Sequence, residues 1–440
     1  MALTGRTGLL AALSAIVVLF APWPAAAAAG LLLVLAALVA VDLLLAGGVR
    51  PLRLERSGER RVRLGDSARV TLTVTNPGTR RVRGLIRDAW APSAGARPRE
   101  QDLDVPAGER RRVAVTLAPL RRGDRDSAVV TVRSVGPLGL AGRQGSHAVP
   151  WTVRVLPPFL SRRHLPAKLS RLRELEGRNP VSIRGQGTEF DSLREYVPGD
   201  DVRSIDWRAT AKRSDVVVRT WRPERDRRVL IVLDTSRTSA GRVGVDPASG
   251  DPSGWPRLDW SMDAALLLAA LAARAGDRVD FLAHDRTVRA WVPGASRTEL
   301  MSVLVNAMAP LEAELVEADS EGMVAAVLAR ARHRCLVVLL TDLNPTALEE
   351  GLLPVLPQLA ARHQVLLAAV SDPRVAAMAQ GRDTLEQVYD AAAAEHLRNA
   401  RRRMTARLRR HGVEVVDAAP ESLAPTLADA YLALKAAGRL

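Results

Sequence analysis

The chain has 440 residues, 47% hydrophobic and 25% charged, an ordinary globular composition with room for about two to four domains. Lys and Arg outnumber Asp and Glu 63 to 48, a formal charge of +15, yet no helix-turn-helix or RNA-recognition signature accompanies the excess, so specific nucleic-acid binding is not expected. The single cysteine, Cys335, excludes an intramolecular disulfide and a cysteine-cluster metal site.

The chain opens on two apolar runs, residues 9–21 and 25–46, separated by Pro22-Trp23-Pro24. About 20 helical residues cross a bilayer core, so the second run is long enough and the first is marginal. The proline pair ends one helix before the next begins, and Trp23 suits an interface. Arg6 precedes the first run and Arg50, Arg53, Arg56, Arg60, Arg61 and Arg63 follow the second. The positive-inside rule then predicts a multi-pass cell-membrane protein of two helices, with both ends and the bulk of the chain cytoplasmic. The competing reading is a cleaved signal peptide, with the alanine tract 25–29 as its cleavage site and the second run stopping transfer. Both readings leave the chain beyond the second run on the same side. Asp42, near the inner end of the second run, is expected to reach headgroup water.

From 50 to 157 the pattern turns to period two. Residues 68–75 alternate in and out and stop at the turn Asn76-Pro77-Gly78, and similar runs recur at 112–118, 127–134 and 152–156. Short strands at this spacing predict an antiparallel immunoglobulin-like β-sandwich, here without a cysteine pair, serving as a spacer or docking surface. A polar segment with helical character, 158–178, leads into the densest charged stretch, 184–208. Gly185 and Gly187 lack the Gly-Lys-Ser/Thr of a phosphate loop. Asp200, Asp201 and Asp206 could ligate a divalent ion, but a network pairing Arg194, Arg203 and Arg208 with acids, locking 158–227 to the next domain, is favoured.

From 228 to 440 strands and helices alternate. The apolar run 228–234 predicts a buried parallel strand, and strands follow at 278–283, 335–341, 365–370 and 413–416. Helical patterns cover 258–275, 298–308, 322–332, 384–410 and 425–437. The expected architecture is a doubly wound parallel α/β sheet, with ligands at the carboxyl ends of its strands. Two such ends carry chemistry. One gives Asp234, Ser236 and Thr238, and the other gives Asp342, with Thr298 as a further hydroxyl. Two carboxylates and hydroxyls form a hard-oxygen set suited to Mg2+ or Mn2+. Helix capping by Ser236 and Thr238, or Arg237 in the cation's place, is the alternative.

The run Glu189-Phe190, Leu193-Arg194-Glu195-Tyr196-Val197-Pro198-Gly199-Asp200-Asp201-Val202-Arg203-Ser204-Ile205-Asp206-Trp207 resembles the signature of the bacterial "domain of unknown function 58" family. The segment 134–140 and the tail 431–440 fit the same family, so the resemblance spans nearly the whole chain. It implies a two-helix anchor over 1–49, a β module, and a von Willebrand factor A-like domain. By analogy with the metal-ion-dependent adhesion site of A domains, it also implies that Asp234, Ser236, Thr238 and Asp342 are ligands, with Thr298 less secure and Thr238 standing for the more usual serine. It further implies association with a MoxR-type AAA+ ATPase.

The resulting expectation is a membrane-tethered interaction module that passes an unidentified client protein to or from such an ATPase. Two alternatives stand beside it. One is a hydrolase, though no nucleophile–base pair is evident and none of the 7 histidines falls in these motifs, so an enzyme is not expected. The other is binding of a membrane surface or nucleic acid by basic segments such as 398–410, which read as a solvated helix face.

Overall fold

The apolar N-terminus folds as a short strand β1 (Ala2–Leu3) and two helices, α1 (Gly5–Leu19) and α2 (Pro24–Leu45). Pro24 opens α2, where its missing N–H is one that every helix start leaves unpaired. The 22-residue α2, with a mean hydropathy of 2.7 and 6% buried over its most apolar stretch, is the one helix among the described residues long and apolar enough to cross a membrane. At about 1.5 Å per residue, the 15 residues of α1 span only about 22 Å. One candidate membrane helix therefore stands near the N-terminus. The computed structural model describes residues 2–178, 189–197, 202, 205–211, 215–222, 227–246, 250–251 and 253–440. These divide into two units, Met1–Pro158 and Phe159–Leu440.

In the first unit the chain continues as β2 (Arg53–Gly58), β3 (Arg61–Arg63), β4 (Ala68–Thr75), β5 (Val82–Asp88), β6 (Ala96–Arg97), β7 (Glu100–Val105), β8 (Arg110–Leu117), β9 (Gly123–Val135) and β10 (Ala141–Leu156). One sheet runs β1-β10-β9-β5-β7 with β3 added to β10, and the other runs β2-β4-β8-β6. Every ladder is antiparallel except β3 on β10. The alternation of β4 turns Val70, Leu72 and Val74 inward. There Leu72, Val74 and Val113 of one sheet share a core with Val82, Ile86, Leu103, Val130 and Val132 of the other. Within this interior the Arg56 guanidinium pairs with Asp88 and donates to Ser127 Oγ at 2.6 Å, so the buried charge is matched.

Asp42 departs from the sequence expectation. Its side chain is fully buried, and its carboxylate accepts backbone N–H groups of Leu138, Leu140 and Ala141 at 2.8, 2.7 and 2.8 Å. Headgroup water is not its partner, because the loop between β9 and β10 folds over it. Gly136 permits the approach: a Cβ there would collide with the Asp42 carboxylate. The start of α1 reaches the same loop, where Thr4 Oγ1 donates to the Gly139 carbonyl at 2.6 Å and the Thr7 hydroxyl donates to that of Leu140.

The second unit begins with a turn over Leu160–His164 and α3 (Leu165–Arg178). This segment packs into the unit: the Ser161 N–H donates to the Asp263 carboxylate at 3.1 Å, and Lys168 pairs with Asp429 at 2.7 Å. Next come β11 (Glu189–Glu195), α4 (Trp207–Thr210) and β12 (Val217–Arg222), with β11 and β12 paired antiparallel. The remainder comprises β13 (Arg228–Asp234), α5 (Arg237–Ala240), β14 (Arg242–Val243), β15 (Trp255–Pro256), α6 (Arg257–Arg274), β16 (Arg278–His284) and β17 (Val288–Val292). It continues through α7 (Leu300–Met308), α8 (Ser320–Arg330), β18 (Leu336–Leu340), α9 (Pro345–Ala347) and α10 (Leu353–Ala360). It closes with β19 (Gln364–Val370), α11 (Pro373–Met378), α12 (Leu385–Arg410), β20 (Glu414–Ala418) and α13 (Pro420–Ala436).

The large sheet has the order β17-β16-β13-β18-β19-β20. The expectation of a wholly parallel sheet is corrected at its edge, where β17 runs antiparallel to β16. The turn between them is too short for a crossover, and the Asp285 carboxylate ties it by accepting the N–H groups of Arg286 and Thr287 at 2.6 and 3.1 Å. The other neighbours are parallel, and β13 and β18 are buried along nearly their whole length. From β13 the chain first builds outward to β16 and then returns to the other side at β18. The carboxyl ends of β13 and β18 therefore flank the point where strand order reverses, the usual crevice of an open α/β sheet.

Candidate functional site

At that crevice β13 ends in Asp234, which is 8% exposed. Its Oδ1 accepts the Ser236 N–H at 2.8 Å, and its Oδ2 accepts the hydroxyls of Thr238 at 2.9 Å and Thr341 at 2.6 Å. The Ser236 and Thr238 hydroxyls lie 3.2 Å apart. Among the described residues no cation pairs with Asp234, so three neutral donors carry its charge. A cavity of about 690 Å³ opens here, and its walls include Asp234, Ser236, Thr238, Arg257, His284 and Asp342.

Four of the five residues predicted as metal ligands thus line one cavity. Thr298 does not. It lies exposed between β17 and α7, with its hydroxyl 3.3 Å from that of Ser296.

Asp342 is engaged on both oxygens. Its Oδ2 accepts from Arg257 Nη1 at 3.2 Å and its Oδ1 from Arg401 Nη1 at 2.8 Å. Arg401 also grips Asp417 through Nη2 at 2.7 Å. Burial works against the Arg401 charge. Hydrogen bonding to Asp417, together with the charges of Asp342 and Asp417, nonetheless holds its pKa above the ordinary arginine value.

The residues therefore do not fit Mg2+ or Mn2+ shared by both carboxylates: Asp234, Ser236 and Thr238 offer hard oxygens on one side, but on the other two guanidinium groups already occupy the carboxylate of Asp342. An ion brought to both carboxylates would meet those two cations at close range.

His284 faces Asp234 across the parallel pairing of β13 and β16 and lines the cavity. Its Nδ1 lies 3.0 Å from the Asp285 carbonyl oxygen. Burial pushes the Asp285 carboxyl upward. The backbone N–H groups of Thr287 and Arg286, the Thr235 hydroxyl and the Arg289 charge together bring it below the usual range.

The family described as "Protein of unknown function DUF58" matches residues 192–414, just over half of the chain. The chain belongs to the DUF58 family. The matched region contains every residue of the cavity named above. This DUF58 protein is 28% identical over 203 residues to the uncharacterized protein Rv1480 of Mycobacterium tuberculosis, a match covering 46% of the chain and 60% of that relative. It is 24% identical over 124 residues to the uncharacterized protein YeaD of Bacillus subtilis, covering 28% of the chain and 31% of YeaD. Among solved structures it is similar to the CARDB domain of the PF1109 protein from Pyrococcus furiosus, at 16% identity over 24% of this chain and 91% of that one, with a TM-score of 0.19. It is also similar to the PilB minor pilin from Streptococcus sanguinis, at 9% identity over 88% of this chain and 78% of that one, with a TM-score of 0.32. Scores this low assign no fold.

Of the DUF58 motif residues, Pro198, Gly199, Asp200, Asp201 and Arg203 lie outside the described residues. The backbone of Glu189, Phe190 and Arg194 lies in β11. Tyr196 extends the pairing with its N–H on the Val216 carbonyl at 2.8 Å. Asp206 caps α4, its Oδ1 accepting from the N–H groups of Arg208 and Ala209 at 3.0 Å each, and Trp207 is exposed. Tyr196, Asp206 and Trp207 do not line the cavity.

The basic helix α12 is also more than a solvated face in this DUF58 chain. Arg398 and Arg402 pair with Glu395, and Arg407 pairs with Glu349. Arg401, with its side chain 18% exposed, reaches the strand ends. Sequence reasoning missed Arg257 and Arg401 at the site because nothing in their local pattern separates them from other helix arginines. Thr341 carried a legible signal, since it directly precedes Asp342 at a strand end.

Proposed function

We propose that this chain is a membrane-tethered protein-interaction module that docks a partner at the cavity between the ends of β13 and β18 and works with a MoxR-type AAA+ ATPase on a client protein. The observation that carries this reading is the convergence of Asp234, Ser236, Thr238 and Asp342 on one cavity at the reversal of strand order. The sheet order supports reading the second unit as von Willebrand A-like, and the two sheets sharing a core support reading the β module as immunoglobulin-like. The two-helix anchor draws support from its base, where Thr4 and Thr7 of the first helix and Asp42 of the second grip the same loop. A cleaved first helix would forfeit half of those contacts. With both ends on one side, the charge asymmetry of the flanking segments supports a cytoplasmic location for the bulk of the chain.

The test is capture of the cell's purified MoxR-type ATPase by the detergent-solubilised full chain, compared with Asp234→Ala and with a surface control such as Glu386→Ala. The reading expects capture that Asp234→Ala weakens and the control does not. Equal capture by all three moves docking away from this cavity. No capture, together with salt-sensitive retention on anionic vesicles or DNA, favours the basic-surface alternative.

A further inference from the structure

We propose that the cavity works without a divalent ion, because Arg257 and Arg401 supply from within the chain the positive charge that an ion would bring. Metal sites of hard oxygens rely on carboxylates that are free to face the ion. Here each oxygen of Asp342 accepts a guanidinium N–H, at 3.2 Å from Arg257 and 2.8 Å from Arg401.

Neither arginine is a loose surface residue. Arg257 begins α6 and its backbone N–H is held by the Gly241 carbonyl at 2.8 Å, while Arg401 is anchored from its other side by Asp417. Swinging either away would leave a largely buried carboxylate short of its counter-charge, which is costly in a protein interior. Asp234 remains as one negative charge, with both oxygens already accepting hydrogen bonds from neutral groups. Arg257 also keeps a buried Nε with no acceptor among the described residues. Arg257, which lines the cavity, and Arg401, which holds the other oxygen of Asp342, thus set the charge that the site presents.

This inference rests on the geometry of the cavity and not on the docking reading. Its test therefore uses the chain alone, so that either can fail without the other. Mn2+ is titrated calorimetrically into the detergent-solubilised full chain. The wild type is expected to show no saturable site into the millimolar range, and its melting temperature is expected to be the same in EDTA and in Mg2+. Arg257→Met, which frees one oxygen of Asp342, is expected to bind Mn2+ at least about tenfold more tightly than the wild type. Adding Asp234→Asn is expected to abolish that gain. Saturable Mn2+ binding by the wild type that Asp234→Asn removes overturns the proposal, and this measurement needs no arginine variant to fold. A folded Arg257→Met chain with no gain in Mn2+ affinity also overturns it, since the arginine would then not be what excludes the ion.

Discussion

The Asp42 carboxylate accepts the backbone N–H of Leu140 at 2.7 Å, joining the end of the candidate membrane helix to a loop 98 positions away. With Leu138 and Ala141 as its other donors, this single side chain fixes where α2 meets the β module. Asp42→Ala leaves three backbone donors without their acceptor, each costing about 1–3 kcal/mol when it stays buried. The first unit is expected to lose about 3 kcal/mol or more, seen as earlier thermal unfolding in detergent and faster proteolysis near 136–141. Gly136→Ala is expected to act in the same direction, because its Cβ would collide with Asp42. Unchanged unfolding in both variants would show that the loop does not depend on this carboxylate.

A second prediction concerns pH. Burial raises the Asp263 carboxyl above its ordinary range, against the opposing hydrogen bonds from Ser161. Below the unfolded value near 4, both states are protonated and the group contributes nothing. As pH rises through the raised folded value, the unfolded chain ionises first and the folded chain must then bury the charge. Stability from this group therefore falls with rising pH, by about 1.4 kcal/mol for each unit of displacement. Asp263→Asn keeps an acceptor for the Ser161 N–H. It is expected to melt higher than the wild type at pH 7 and together with it below about pH 4. Melting curves across that range decide the matter, and a gap that widens on acidification would contradict the sign.

Cys335 is expected to be chemically inert in the folded chain. Burial pushes its thiol up to about 12, so almost no thiolate exists at neutral pH. Its Sγ lies 3.4 Å from His363 Nδ1. That proximity is not an activated pair, because burial and the nearby Arg362 lower the histidine's own proton affinity. A disulfide reagent should label the native protein slowly and the denatured protein at once. Rapid labelling of the native chain would reopen the hydrolase alternative.

The C-terminal helix is held by a buried cluster. The Tyr431 hydroxyl donates to Asp277, and Lys435 Nζ reaches the same carboxylate at 2.8 Å. Tyr431→Phe removes the hydrogen bond to Asp277 and the longer one accepted from Lys435 Nζ at 3.4 Å, and is expected to cost about 1–2 kcal/mol. Lys435→Met leaves the buried Asp277 without its cation and is expected to cost more, about 3–5 kcal/mol. Chemical denaturation of the pair of variants should rank them in that order.

Patterns that hydrophobicity controls are legible in the order of the amino acids. The run 228–234 forms β13 with those bounds, and the alternation at 68–75 forms β4 likewise. Both signals come from burial, which repeats with the period of the backbone. Strands with charged outer faces were hidden, as in β2, β5 and β7, where arginine and acidic residues interrupt the alternation. The antiparallel edge β17 was missed for a related reason, since an edge strand is only partly buried and lacks a continuous apolar run.

Sequence alone determined the apolar N-terminus, the β module, the α/β succession and the Asp-x-Ser-x-Thr loop with its distant Asp342. Each is written in neighbouring residues, where composition and periodicity act. Tertiary structure alone decided what the two charged features mean. Asp42 became a buried acceptor only because a loop 96 to 99 positions away folds over it, and Asp342 lost its freedom only because Arg257 and Arg401 arrive from two separate helices. A carboxylate's role is set by what surrounds it in space, and in both cases those surroundings come from segments far along the chain, with no local pattern to announce them.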